Sequence, residues 1–529
     1  MARNIDRRLT LSGHLTALTP LHVGGFGQDV DTDLPLARDG AGTWYVPGTS
    51  LAGALRAWCE KAAGPQQSDE IERIWGFQLR DRGAASCVSV SDASVLNAAG
   101  LPCEIRDSVG IDRQWGCAAE QIKFDRAVLP RGTRLTLELT VEFRDSLRDR
   151  VLQLFGSLYQ ALREGHIRLG AAKTRGLGKV RLEDGRLVEH SLSTREGILS
   201  LLRGETGQPV PAPVQPLIPP SPLAIRIHWH PRGPLMVKAG EDGIGVDSLP
   251  LVTGTENGLA LVLPGSSIKG ALRNQAERIV RTMLRLPLPV EDDPKQRFLR
   301  HLRDVPLVSW LFGAAGESEP RTGKTLAEKR TEIELGRGAL AVDDCYGQER
   351  FSPDAWHRIT VADPEAKPDP PELLLRNELD RANLPAWTAA FHVAVDRWTG
   401  GAAENLLYSV LEPHATSWEP IELAVDLERL PADGSQRLAA VALLLLTLRD
   451  LVQGRIPLGY ATQRGMGAVA IDKIVFHTPR LPDGCDELHA LGDLELAGGD
   501  LAAMPPELRD RLVSAWQTWL ESQPTEVTA

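Results

Sequence analysis

Residues 20–56 read PLHVGGFGQDVDTDLPLARDGAGTWYVPGTSLAGALR, and residues 234–273 read PLMVKAGEDGIGVDSLPLVTGTENGLALVLPGSSIKGALR. Both open on Pro-Leu-x-Val, place an aspartate just ahead of a Leu-Pro-Leu, and end on Pro-Gly-x-Ser, an apolar residue, and x-Gly-Ala-Leu-Arg. Self-similarity at this length means two copies of one structural unit in one chain.

Around the first copy, Leu9 to Val23 alternates apolar and polar residues like a half-buried strand that the Gly24-Gly25 pair ends. Pro47-Gly48-Thr49-Ser50 then starts a helix, with Thr49 or Ser50 as its cap and Leu51, Leu55 and Trp58 on its buried face. The first backbone amides of that helix are available to a phosphate. Cys87 to Asp92 reads as a short strand. An extended hairpin follows, entered by Ile111-Asp112-Arg113 and left by Phe124-Asp125. Leu135–Phe143 reads as a strand, 147–164 as an amphipathic helix, and Ile167 leads into Lys173-Thr-Arg-Gly-Leu-Gly-Lys-Val180. Strand, helix, strands, helix, strand is the order of a ferredoxin-like unit, an α+β fold.

The second copy follows in the same order. Leu223–Trp229 matches the first strand, Pro264–Ser267 the helix start, and Leu311-Phe-Gly313 the turn at Ile74-Trp-Gly76. Val393–Gly400 matches the hairpin and Gln463–Val469 the Gly-x-Gly loop. These matches set four expected segments: a first domain at 1–203, a linker at 204–222, a second domain at 223–479, and a tail at 480–529 with one helix over 505–521. The linker holds seven prolines and reads as a semi-rigid spacer. Two polar insertions in the second copy, near 316–335 and 346–390, read as surface excursions. Leu438–Leu446 reads as a buried helix.

Composition sets bounds on function. The chain has 529 residues, 42% hydrophobic and 24% charged, with a formal net charge of -11. It has no apolar run near the roughly 18 to 20 residues of a membrane span. Its opening, Met-Ala-Arg-Asn-Ile-Asp-Arg-Arg, lacks a signal-peptide apolar segment, so a cytosolic location without membrane partners is expected. The acidic average leaves nucleic acid open, because binding depends on a local basic groove. Cys87, Cys103 and Cys117 lack the tight spacing of structural zinc sites, and zinc is expected only if the fold gathers them with a His. Thr322-Gly-Lys-Thr325 is not a P-loop, since Ser318 stands where the motif requires Gly. Asp29-x-Asp31-x-Asp33 is not a calcium hand, since Leu34 and Gly40 stand where Gly and Glu are required.

Four elements resemble the RAMP superfamily of CRISPR proteins, and specifically the backbone subunit of type III effector complexes. They are Gly24-Gly25 with Asp33-Leu-Pro-Leu, Pro47–Arg56, Val109-Gly-Ile-Asp-Arg113, and Gly176-Leu-Gly178, and they occur in order, twice. The pairing resembles the tandem fusions of type III-D systems. The resemblance implies two ferredoxin-like (RRM-like) domains, each with a thumb hairpin, that bind guide RNA (crRNA) beside other effector subunits. It also implies cleavage of complementary target RNA by a loop aspartate beside a kinked base.

Asp33, two residues before Pro35, stands at the family's catalytic position, with Asp31 as a second candidate. Asp247 is its counterpart, three residues before Pro250. Asp33 and Asp247 would hold a divalent metal, Mg²⁺ or Mn²⁺, because Mg²⁺ uses one or two carboxylates plus phosphate oxygens. For RNA binding, the cations Lys173, Arg175, Lys179 and Arg464 flank the Gly-x-Gly loops. Ser50 and Ser266 stand at the helix starts, with Arg56, Lys269 and Arg273 on the helices behind; position 52, which matches Lys269, is Ala. Arg113, Trp115, Arg397 and Trp398 sit at the hairpins, where the indoles could stack on unpaired bases. His22 completes the RNA-contacting set. Two other readings are a non-catalytic RNA-binding scaffold and a metal-independent guide-processing RNase with His22 as general base.

Overall fold

The computed structural model describes residues 5–25, 32–79, 82–97, 103–113, 115–240, 242–314, 336–361 and 371–523. The chain divides into two compact units. One is formed by Met1–Arg106, Asp125–Lys173 and Leu177–Pro220, the other by Asp107–Phe124, Thr174–Gly176 and Ser221–Ala529.

In the first unit, β1 (Arg7–Ala17), α1 (Gly48–Ala63), β2 (Val88–Val90), β3 (Arg134–Phe143), α2 (Arg148–Arg163) and β4 (Lys179–Ser191) follow one another in sequence. The central β1 runs antiparallel to both neighbours, with Leu11 opposite Leu139 of β3 and Leu187 of β4. β2 joins the far edge of β3. Sheet order β4-β1-β3-β2 with two helices on one face is the ferredoxin-like arrangement. Strand alternation explains the buried face: Leu135, Leu137, Leu139, Val141 and Phe143 are all inside. Each such side chain contributes about 1.5–3 kcal/mol relative to exposure. Leu51, Leu55 and Cys59 of α1 and Leu154, Phe155 and Leu158 of α2 close the core from above. Trp58, expected inside, is only half-buried, because Cys59 lies in line with Leu51 and Leu55.

The proline-rich segment does not stand off as a spacer. Val210 N–H donates to Leu187 O at 2.9 Å and Leu217 N–H to Ser157 Oγ at 2.9 Å, and both side chains pack on the first core. Gly156 makes room for it, since a Cβ there would stand 3.0 Å from Pro213 Cδ.

In the second unit, β5 (Leu223–Pro231), α3 (Gly265–Leu284), β6 (Leu340–Val342), β7 (Ile421–Val425), α4 (Gly434–Val452) and β8 (Val469–His477) repeat that plan. The order is β8-β5-β7-β6, and β9 (Glu495–Ala497) extends it beyond β8. The tail also supplies α5 (Pro506–Ser522), whose Leu508, Leu512 and Trp519 enter the same core as α4. A helix covered on several sides is apolar on several faces, which accounts for the run Leu443-Leu444-Leu445.

Of the two insertions, 315–335 lies outside the described residues. The other is not a surface excursion. Its helices Pro353–Thr360 and Pro371–Arg381 bury Ile359, Leu375 and Leu379 in the second core. Leu375 and Leu379 stand four apart on one helical face, a spacing that the polar surroundings obscure.

Helix Pro294–His301 ends with its imidazole 4% exposed. Burial pushes His301 down to about 4; the cations Arg113, Arg273 and Arg281 act in the same direction and Glu277 opposes them. The unfolded imidazole titrates near 6.5. The folded state therefore refuses a proton that the unfolded chain takes up. The resulting stability is complete above pH 6.5 and is lost as pH falls toward 4. Acidification from pH 7 to 5 is expected to cost on the order of 2 kcal/mol through this group. Thermal unfolding across that window should be visibly flatter for His301→Gln than for the parent.

Candidate nucleic-acid interface

Where Pro20-Leu21-His22-Val23 leaves β1, Gly24 bridges Leu36 and Ala37 N–H donates to Val23 O at 3.0 Å. Residues 26–31, with the candidate Asp31, lie outside the described residues. From Thr32 the loop runs beside residues 125–127, the last part of Ala118–Val128, which is the return strand of the hairpin that begins at Glu104–Ile111. Leu34 bridges Arg126 in parallel, and Ala127 N–H donates to Leu34 O at 3.1 Å. Asp33 and Asp125 are joined reciprocally. Asp33 N–H donates to Asp125 Oδ1 at 2.7 Å, and Asp125 N–H donates to Asp33 Oδ2 at 3.0 Å. Thr32 Oγ1 adds a third bond to Asp125 Oδ1 at 2.6 Å. Asp33 stays exposed, and among the described residues its Oδ1 has no hydrogen-bond partner.

The second unit builds the same loop. Asp247 N–H donates to Ser409 Oγ at 3.0 Å, and Ser409 N–H and Oγ both donate to Asp247 Oδ2, at 2.6 and 2.9 Å. Ser248 bridges Val410 in parallel, Lys238 bridges Pro250, and Leu251 N–H donates to Val237 O at 2.7 Å. Apart from the Ser409 hydroxyl bond, each contact matches one in the first unit, so Asp247 occupies the register of Asp33. The residue that shifts between copies is the proline, which falls at the position of Leu36.

The helix starts differ from expectation. No side chain caps α1 or α3 within its own turn. Instead Gly48 N–H donates to Asp92 Oδ1 at 2.6 Å and Gly265 N–H to Asp344 Oδ1 at 2.7 Å. A carboxylate already takes the amide that was expected to be open to phosphate. The glycines are required by close approach: a Cβ would stand 2.3 Å from Val90 O at Gly48 and 2.1 Å from Val342 O at Gly265. Asp92 and Asp344 were missed by sequence reading, although both stand just after the second strand of their unit. Because Asp344 is buried and Asp92 is exposed, Asp344→Ala should cost more, about 1–3 kcal/mol for the orphaned amide. Asn at either position keeps an acceptor and should lose less; chemical denaturation of the four variants measures the ranking.

The expected cations fall into two groups. Lys173 lines a cavity of about 340 Å³ with Gly24, Ser50, Gly53, Gly170 and Ala171, so three stretches named from sequence meet there. Arg175 and Ser266 are exposed, and Lys179 is half-buried. Arg464 lies between two rings, 5.3 Å from Tyr460 and 5.4 Å from Tyr408, and Tyr408 stacks on His392 at 5.3 Å. Neither tyrosine was singled out from sequence. Other cations are engaged internally: Arg56 pairs with Glu60 at 2.8 Å and Arg113 with Glu277 at 3.3 Å. Lys269 is 6% exposed, and its Nζ donates to Leu340 O at 2.6 Å. Burial pushes it down to about 7, with Arg273 alongside. Arg273, pushed down to about 10 by burial, donates to the carbonyls of Gly313 and Leu302. Lys269 and Arg273 therefore tie the interior together and do not face a ligand.

At the hairpin tips, Trp115 is 68% and Trp398 96% exposed, and Arg397 is exposed beside the latter. His22 is buried, and its Nδ1–H donates to Ala127 O at 2.7 Å. Burial lowers its pKa, so the ring is neutral near pH 7. That position suits a brace for the return strand and not an exposed general base.

Among the described residues no group of three or more His, Cys, Asp or Glu is placed to hold a metal, and Cys87, Cys103 and Cys117 are not joined in disulfides. The loop offers fewer ligands, the carboxylate of Asp33 in one unit and of Asp247 in the other. That number fits a hard divalent ion completed by phosphate oxygens and water.

No curated protein matches the chain. The family model of the RAMP superfamily matches residues 14–181 and 234–470, two regions that each contain one aspartate loop, one hairpin, and the two helices and two middle strands of one ferredoxin-like core. The chain belongs to the RAMP superfamily and carries two of its units in tandem.

Proposed function

We propose that this protein is the guide-RNA-binding backbone subunit of a type III CRISPR effector complex, fused from two units in the manner of type III-D systems. In this reading it cleaves complementary target RNA at two positions. Membership of the superfamily supports a CRISPR-associated RNA-binding subunit that works beside other effector subunits. The observation that carries the finer reading is the recurrence of one exposed aspartate, in one register, bonded to the return strand of each hairpin.

The chemistry follows from placing RNA across that loop. A nucleotide splayed at a kink brings its 2′-oxygen in line with the adjacent phosphorus. The 2′-oxygen bonds to phosphorus to give a cyclic 2′,3′-phosphate, the bond to the 5′-oxygen breaks, the 2′-hydroxyl proton passes to the outward carboxylate oxygen of Asp33 or Asp247, and the leaving 5′-oxygen takes a proton from water. A divalent ion held by those carboxylates, Mg²⁺ or Mn²⁺, would neutralise charge on the phosphate oxygens. Arg464 in its tyrosine clamp and Lys173 in its cavity supply fixed cations for the backbone.

The test is to map the 5′ ends produced from a matched target by the assembled complex with guide and Mg²⁺. Two cuts are expected, one for each hairpin that splays a base, and the resemblance to type III backbone subunits implies a spacing of about six nucleotides between them. A scaffold role is the second reading, favoured by the fact that both aspartates accept backbone hydrogen bonds as turn-capping residues do. An intact target, bound but uncut, would establish it.

A further inference from the structure

Resting on the cleavage reading, we propose that Asp125 and Ser409 are the positioning residues of the two cleavage loops, each fixing the reactive aspartate through the hairpin's return strand. An exposed aspartate on a loop has two free side-chain torsions, yet a proton acceptor is useful only within a fraction of an ångström of its target. Both loops remove that freedom in the same way. The partner accepts the aspartate's own N–H, and the partner's N–H donates to one carboxylate oxygen. The ring closes through two backbone positions, and the next residue pair, Leu34 with Arg126 or Ser248 with Val410, extends it as a parallel bridge. Whatever fixes the return strand therefore fixes the carboxylate.

Comparing the copies shows what the position requires. Asp125 brings a second negative charge and recruits Thr32 Oγ1; Ser409 is neutral and spends its own hydroxyl hydrogen on Asp247 Oδ2. Among the described residues each junction has three bonds involving a side chain, and none of them uses Oδ1 of the reactive aspartate. The shared element is an acceptor for the loop N–H, not a charge. Aspartate and serine should thus be interchangeable here, whereas alanine should not.

The test uses the full complex with guide and matched target, reading each cut separately under single-turnover conditions with the complex in excess. Asp125→Ala is expected to slow the cut that Asp33 makes by about 100-fold, the scale of a 1 Å misplacement. The other cut and target Kd should be unchanged, a split that unfolding would not produce. Asp125→Ser should restore the first cut to within about threefold, a change near 0.6 kcal/mol in barrier. Ser409→Ala should slow only the second cut, and Ser409→Asp should restore it. Wild-type rates for both alanine variants, or failure of Asp125→Ser to rescue, would overturn the assignment while Asp33→Asn still removes its cut. If Asp33→Asn leaves both cuts intact, the cleavage reading falls and takes this inference with it.

Discussion

The double variant Asp33→Asn, Asp247→Asn will bind guide and target as the parent does and cut neither position. Asparagine keeps the shape of the side chain and a carbonyl oxygen that can accept from Asp125 N–H or Ser409 N–H, so both loops should hold their register. What is lost is the negative oxygen that faces outward, and with it the proton acceptor and the anchor for a divalent ion. Removal of a general base alone typically costs about 10²–10⁴-fold. Each single variant should erase one cut and spare the other, because each aspartate lies in its own loop with its own partner. Position-resolved cleavage together with filter binding measures both halves of the expectation. Two intact cuts in the double variant would falsify the nuclease role and leave the scaffold.

Much of this was legible from sequence because it is local or periodic. The alternation of Leu135 to Phe143, the apolar run at Leu443–Leu445, and the order of elements gave two ferredoxin-like units, and the repeat pointed to the aspartate loop. The features that were not legible depend on partners far away in the chain. Ser409 lies 162 residues from Asp247, and Asp344 lies 79 from the glycine amide it accepts. Residue type alone also misled at Lys269, since a lysine one turn inside a Pro-Gly helix start reads as a phosphate ligand until burial is known. Register was hidden for a related reason. Counting back from Pro250 shifted Asp247 by one residue, but bridge pairing follows the backbone and is indifferent to where the proline falls. Tyr408 and Tyr460 gave no signal, because Tyr408 comes from a hairpin strand and Tyr460 from a loop.

The largest expected effect on stability comes from the second glycine of each Gly-x-Gly loop. Gly178 has φ +91 and Gly467 φ +80, and a Cβ would stand 2.1 Å from Leu169 O in one and 2.0 Å from Leu458 O in the other. Those carbonyls cannot retreat. Leu169 N–H and Leu458 N–H are bonded to the glycine oxygens at 2.7 and 2.9 Å, and the glycine N–H groups donate to Pro20 O and Pro234 O at 2.8 and 2.9 Å. The two ends of the repeated motif, Pro-Leu-x-Val and Gly-x-Gly, thus meet at one residue that admits no side chain. Gly178→Ala or Gly467→Ala should cost about 3 kcal/mol or more, combining left-handed strain with backbone collision. For a unit of this size that lowers the midpoint by roughly 6–12 °C. Gly465 supplies the contrast. Its φ is +91, but nothing lies within 4 Å of the Cβ position, so Gly465→Ala should cost only about 1 kcal/mol of conformational strain. If the open space beside Arg464 is where an RNA backbone passes, a bulkier Gly465→Leu should weaken guide binding far more than it lowers the thermal midpoint. Equal losses of stability at 465 and 467 would show that both glycines serve the fold alone.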